Sequence, residues 1–68
     1  MRVPNNISHL LRRRATLAAT LMEVDYKIAE WLDKKGIEVE EYDIRGGAEI
    51  YTAPYRSAER IKRAIENA

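Results

Sequence analysis

The chain has 68 residues, 46% hydrophobic and 34% charged, with no cysteine, one histidine and a formal net charge of +1. Those figures exclude a disulfide framework and a thiolate metal site, and one histidine cannot build a zinc centre alone. A domain this small buries only about 60% of the surface its unfolded chain exposes, so with no disulfide or metal its marginal core is expected to be supplemented by self-association.

The first element is predicted as a long helix over about 6–35. Asn5 and Asn6 follow Pro4 and are candidate caps for the first turn. Neither Gly nor Pro occurs from Ile7 to Lys35, and Gly36 stands where a left-handed terminating residue is expected. Lys34 and Lys35 in the last turn complement the helix dipole. Such a helix is about 45 Å long at 1.5 Å per residue, longer than any core this chain could wrap around it.

Its apolar residues keep a heptad. Ile7, Leu21 and Ile28 fall at one position, which Arg14 and Lys35 interrupt, and Leu10, Leu17, Val24 and Trp31 fall at the other. Leu10, Leu17, Leu21, Val24, Ile28 and Trp31 are therefore the candidate self-association residues, and the expected partner is a second copy. Leu11, Ala18 and Leu32 widen the arc on one side, Ala15 and Met22 on the other. An arc this wide suits a helix with two neighbours rather than one.

After Gly36 the pattern changes. Residues 37–44 alternate, with a phase slip at Glu40-Glu41 that suggests a bulge. Gly46-Gly47 reads as a turn, and Glu49–Thr52 as a returning strand, giving an expected β-hairpin over about 38–52. Pro54 suits the first turn of a last helix over about 54–67, in which Tyr55, Ala58, Ile61 and Ile65 share a face. The expected fold class is a single α+β domain spanning 1–68, mainly helical, ordered α-ββ-α and dimeric.

Charge is segmented along the chain. Residues 1–22 carry Arg2, Arg12, Arg13 and Arg14 and no acid; residues 23–51 carry nine acids against four bases; residues 52–68 are basic again. Antiparallel pairing of two long helices would set the basic third of each against the acidic third of its mate, with a crossing near Ala18 and Ala19.

The catalytic repertoire is incomplete. Ser8 and His9 are adjacent and diverge on a helix, and no phosphate-cradling glycine loop is present. No catalytic, cofactor-binding or metal-ligating residue is assigned, no cofactor is expected, and the chain is read as a non-enzyme. Arg12 and Arg13, with Arg56, Arg60 and Arg63 spaced four and three apart, are candidate nucleic-acid contacts, although the net basic surplus of a dedicated binder is absent. Glu38, Glu40, Glu41 and Asp43 form a candidate acidic partner surface, of the kind by which small phage and mobile-element inhibitors block nucleic-acid enzymes. Edge-strand charge that discourages aggregation is the plainer reading of that row.

The leading expectation is a non-catalytic protein-interaction module that self-associates through its long helix. A small dimeric nucleic-acid-binding regulator comes second, and an inhibitor acting through the acidic hairpin third. No stretch approaches the ~20 apolar residues of a membrane helix, and no apolar segment follows the N-terminal charges as a secretory signal requires. The expected location is cytoplasmic, with no membrane partner.

Overall fold

The computed structural model describes all 68 residues. Helix α1 spans Asn5–Lys35, a 3-10 turn spans Glu41–Asp43, helix α2 spans Glu49–Thr52 and helix α3 spans Pro54–Glu66. The chain is 75% helical and contains no β-strand.

Pro4 precedes α1, and its carbonyl accepts the amide of Ser8 at 2.9 Å. The asparagines lie inside the first turn, and no side chain caps it. The helix stops at Gly36, which is left-handed at φ 67. The Gly36 amide donates to the Asp33 carbonyl at 3.2 Å and the Ile37 amide to the Leu32 carbonyl at 3.0 Å. This pair of bonds satisfies the last carbonyls and reverses the chain.

The expected hairpin over about 38–52 does not form, and the α+β class is corrected to all-helical. Where the alternation slips, at Glu40-Glu41, the chain tightens into the 3-10 turn. Asp43 and Ile44 are then buried in succession, at 2% and 4% exposure. Successive strand residues point to opposite faces, so a hairpin covered on one side could not bury both. Arg45 and Gly46 follow with positive φ of 52 and 77, and Gly47 lies against the Tyr42 backbone. The segment read as a returning strand coils instead into α2, whose Thr52 hydroxyl donates to the Ala48 carbonyl at 3.1 Å. A two-stranded hairpin with no third strand is marginal in water, and docking of these residues onto α1 and α3 replaces it.

The core is small. Ala29, Leu32 and Ile44 are buried, with Ile37, Val39, Ile61 and Ile65 packed around them. On α1 the covered face is Ala18, Leu21, Asp25, Ala29 and Leu32, and every residue before Ala18 is exposed. The molecule measures 52 × 20 × 14 Å with a radius of gyration of 15.4 Å, against about 11 Å for a compact domain of this length.

The two glycines beside the reversals make different demands. A Cβ at Gly47 would overlap the Tyr42 carbonyl, whereas at Gly36 nothing lies within 4 Å and only the positive φ objects. Gly47→Ala is expected to destabilise by about 2–3 kcal/mol through overpacking of backbone, and Gly36→Ala by about 1–2 kcal/mol through left-handed strain. Thermal denaturation of the two variants checks the order.

Candidate functional site

The segment after Gly36 is fastened by three carboxylates. Asp25 on α1 accepts the Gly46 amide at 2.8 Å and the Arg45 amide at 3.3 Å. Those amides belong to the two residues with positive φ, so Asp25 stabilises an otherwise unfavourable turn. Asp33, two turns further along, pairs with the Arg45 guanidinium. The third is Asp43, which receives Arg60 of α3 through Nε at 2.8 Å and Nη2 at 2.7 Å. This bidentate geometry is the strong form of the arginine–carboxylate bond. The Arg60 guanidinium also lies 5.0 Å from the Tyr42 ring centroid and 3.5 Å from Glu49.

Asp43 is held below the usual carboxylate range, chiefly by the Arg60 hydrogen bonds, which outweigh burial, with Ser57 adding a further bond. Arg60 is raised correspondingly. No buried side-chain polar atom lacks a partner. Within the cluster every buried polar atom is thus engaged, while the Asp33 side chain is exposed. No group of three or more metal-ligating side chains occurs.

These contacts redistribute the candidate site residues. Of the α3 arginines, Arg60 is committed to Asp43, while Arg56 and Arg63 are exposed and seven residues apart. Arg12 and Arg13 are exposed on α1. Glu38, Glu40 and Glu41 are exposed, but Asp43 is withdrawn from the row into the interior, and no strand aligns them. Leu21 is half-buried under the C-terminal segment. Leu10, Leu17, Val24, Ile28 and Trp31 are 39–59% exposed.

Successive helix residues are rotated by about 100°, which places these last five to one side of the covered face. A second free stripe lies on the other side: Leu11, Ala15, Ala19, Met22 and Tyr26 fall within about 80° of one another by the same rotation. Met22 is 64% and Tyr26 73% exposed. The C-terminal end of this stripe opens into a groove of about 670 Å³ between α1 and the 45–51 segment, lined by Met22, Tyr26, Ala29 and Tyr51 with both acids (Asp25, Glu30, Asp33) and bases (Lys34, Arg45) beside them. Tyr26 and Tyr51 carried no role in the sequence reading. The signal for Tyr26 was its spacing four after Met22 and seven after Ala19. None marked Tyr51, which the structure brings in from α2.

The two free stripes differ in electrostatics. Along the edge of the first that faces away from the C-terminal segment run Arg13 and Lys27, with no acid between them. Beside the second, Arg12 lies toward one end and Glu23, Glu30 and Asp33 toward the other, where Lys34 pairs with Glu30 and Arg45 with Asp33. No protein-family model, curated protein or solved structure matches the chain, so these surfaces are read on their own chemistry.

Because the Asp43 carboxyl is depressed in the folded state, its stabilising contribution is present above the ordinary carboxylate pKa of about 4 and is lost as pH falls through the lower folded value. Stability arising from this pair is expected to hold from pH 7 to 5 and to decline below about pH 4. Asp43→Ala, which leaves Arg60 without its partner in a partly buried site, is expected to cost about 3 kcal/mol at pH 7. It should also flatten the acid limb of a pH-dependent melting series.

Proposed function

We propose that this protein is a non-catalytic protein-interaction module that self-associates through α1. The observation that carries the reading is the mismatch between the helix and its cover. Residues 5–17 extend beyond everything the rest of the chain packs against, with Ile7, Leu10, Leu11 and Leu17 exposed along them.

The accessible surface is 6044 Å², about 1,600 Å² beyond the roughly 4,400 Å² of a compact monomer of this mass. A standard interface removes about 800 Å² from each partner, so a second copy can be accommodated within the excess alone. The apolar character of the overhang supplies the driving force, since each buried large aliphatic side chain contributes about 1.5–3 kcal/mol.

The nucleic-acid reading has less support. With Arg60 bound to Asp43, the α3 stripe is reduced to Arg56 and Arg63, and the chain has no net basic surplus to compensate. No helix is long and apolar enough to cross a membrane.

Sedimentation equilibrium of the full chain should give a species of twice the 7.9 kDa chain mass at micromolar concentration. A fully helical species of single-chain mass throughout that range overturns the proposal. In a parallel titration with duplex DNA, steep salt-dependent binding would transfer support to the nucleic-acid reading, and its absence is the expected result.

A further inference from the structure

We infer that the pairing is antiparallel and uses the stripe Leu11–Ala15–Ala19–Met22–Tyr26, each copy's basic arm lying in the groove of the other. The inference rests on the self-association reading and specifies which face and which direction it uses.

Three observations on α1 converge on this arrangement. The heptad seam through Leu10, Leu17, Val24 and Trp31 is the more conspicuous apolar stripe, but the charges on its free edge are Arg13 and Lys27, both positive. In an antiparallel pair that edge meets its own copy, positive against positive, and in a parallel pair it meets the edge already covered by the C-terminal segment. The second stripe has no such conflict. Its N-terminal end is bordered by Arg12 and its C-terminal end by Glu23 and Glu30, so it complements itself in one direction only. A crossing centred on Ala19 sets Arg12, seven residues before it, opposite the partner's Tyr26, seven residues after it. Glu23 and Glu30 of the partner lie one turn to either side of that contact. Parallel pairing would instead set this edge against the edge covered by the C-terminal segment, and the complementarity of Arg12 with Glu23 and Glu30 would go unused.

The second observation is the groove. It is a concavity of about 670 Å³ whose Glu30 and Asp33 are engaged by Lys34 and Arg45 of the same chain, and two of its walls are the exposed rings of Tyr26 and Tyr51. An arm carrying Leu11 and Arg12 supplies apolar surface to this groove and a guanidinium at its rim. A guanidinium over an exposed tyrosine face is a favourable contact of the type this chain already makes between Arg60 and Tyr42.

The third is reach. From Leu11 to Tyr26 the stripe is about 22 Å long, and its small Ala15 and Ala19 lie at the centre, where two helices come closest. Each bare arm then lies along the C-terminal half of its partner's α1, on the side that the partner's own C-terminal segment leaves open.

Disulfide cross-linking of single-cysteine variants of the full chain tests direction. Ala19→Cys should cross-link to its own copy readily under mild oxidation. Ser8→Cys, on the same side but eleven residues from the centre, should not, and efficient cross-linking there would establish parallel pairing and overturn the inference. Charge exchange tests the face. Arg12→Glu should weaken dimerisation about tenfold at low salt, and adding Glu23→Arg and Glu30→Arg should restore it. Ala19→Arg should abolish the dimer with helicity retained, since the position is exposed in the monomer, and Val24→Glu should weaken it much less. A dimer lost on Val24→Glu but kept on Ala19→Arg would move the interface to the heptad seam and leave self-association standing. A wild-type chain that never dimerises would remove both.

Discussion

The architecture depends on a helix that the remainder of the chain is too short to cover. At 31 residues, α1 is about 46 Å long, and the longest element available to pack on it, α3, has 13 residues, or about 20 Å. The reversal at Gly36 therefore sends the chain back over only the C-terminal half of α1. Every later feature is arranged inside that half: the 3-10 turn, the left-handed pair Arg45-Gly46, α2 and the docking of α3. The other half keeps its backbone hydrogen bonds, which are local to the helix, but has no tertiary partner within the chain.

A cover so short cannot build much of a core, and only three hydrophobic residues are fully enclosed. Position within the cover is set instead by directional polar contacts. Asp25 fixes the turn at Arg45-Gly46, and Asp33 adds a pairing with the Arg45 side chain. Asp43 draws α3 onto the turn through Arg60. Apolar burial is tolerant of sliding, whereas a bidentate carboxylate–guanidinium bond is not, so a few such contacts specify one arrangement where the apolar area alone would permit several. The burial of Asp43 also explains why Arg60 is unlike its neighbours: Arg56 and Arg63 project into solvent from the same helix, while Arg60 is part of the fold.

How far the sequence reveals this differs by element. The end of α1 is legible, because Gly36 followed by a change of pattern is a local signal and the bonds it makes are local too. The start of α3 at Pro54 is legible for the same reason. The middle segment is not. Alternation over residues 37–44 and two glycines are the ingredients of a hairpin, and what decides against one is nonlocal: Asp25, some twenty residues upstream, takes the turn amides, and Arg60, seventeen downstream, takes Asp43. The phase slip at Glu40-Glu41 was the one local trace of this, and it marks the 3-10 turn. With the hairpin gone, Asp43 leaves the surface row of acids, in which Glu38, Glu40 and Glu41 stay exposed. On α3, spacing places Arg60 on a face with Arg56 and Arg63 but cannot say that a buried partner, Asp43, awaits it.

The same reasoning applies to α1 itself. Its apolar residues are spread over three adjacent faces, one covered by the C-terminal segment and one on either side of it. Heptad counting favours the side with Leu10, Leu17, Val24 and Trp31 because its side chains are large and evenly spaced. Hydrophobic spacing alone, however, says nothing about what a second copy would bring to that side. A homotypic interface has a constraint that a core does not: whatever charge borders it is presented twice. The edge with Arg13 and Lys27 fails that condition in the antiparallel sense, whereas the edge with Arg12 at one end and Glu23 and Glu30 at the other meets it, in one orientation. The segmentation of charge along the chain, basic before residue 22 and acidic after it, thus acquires a structural meaning only when read face by face. Self-complementarity requires the two signs to share an edge as well as a helix, and on α1 they do so beside Ala19.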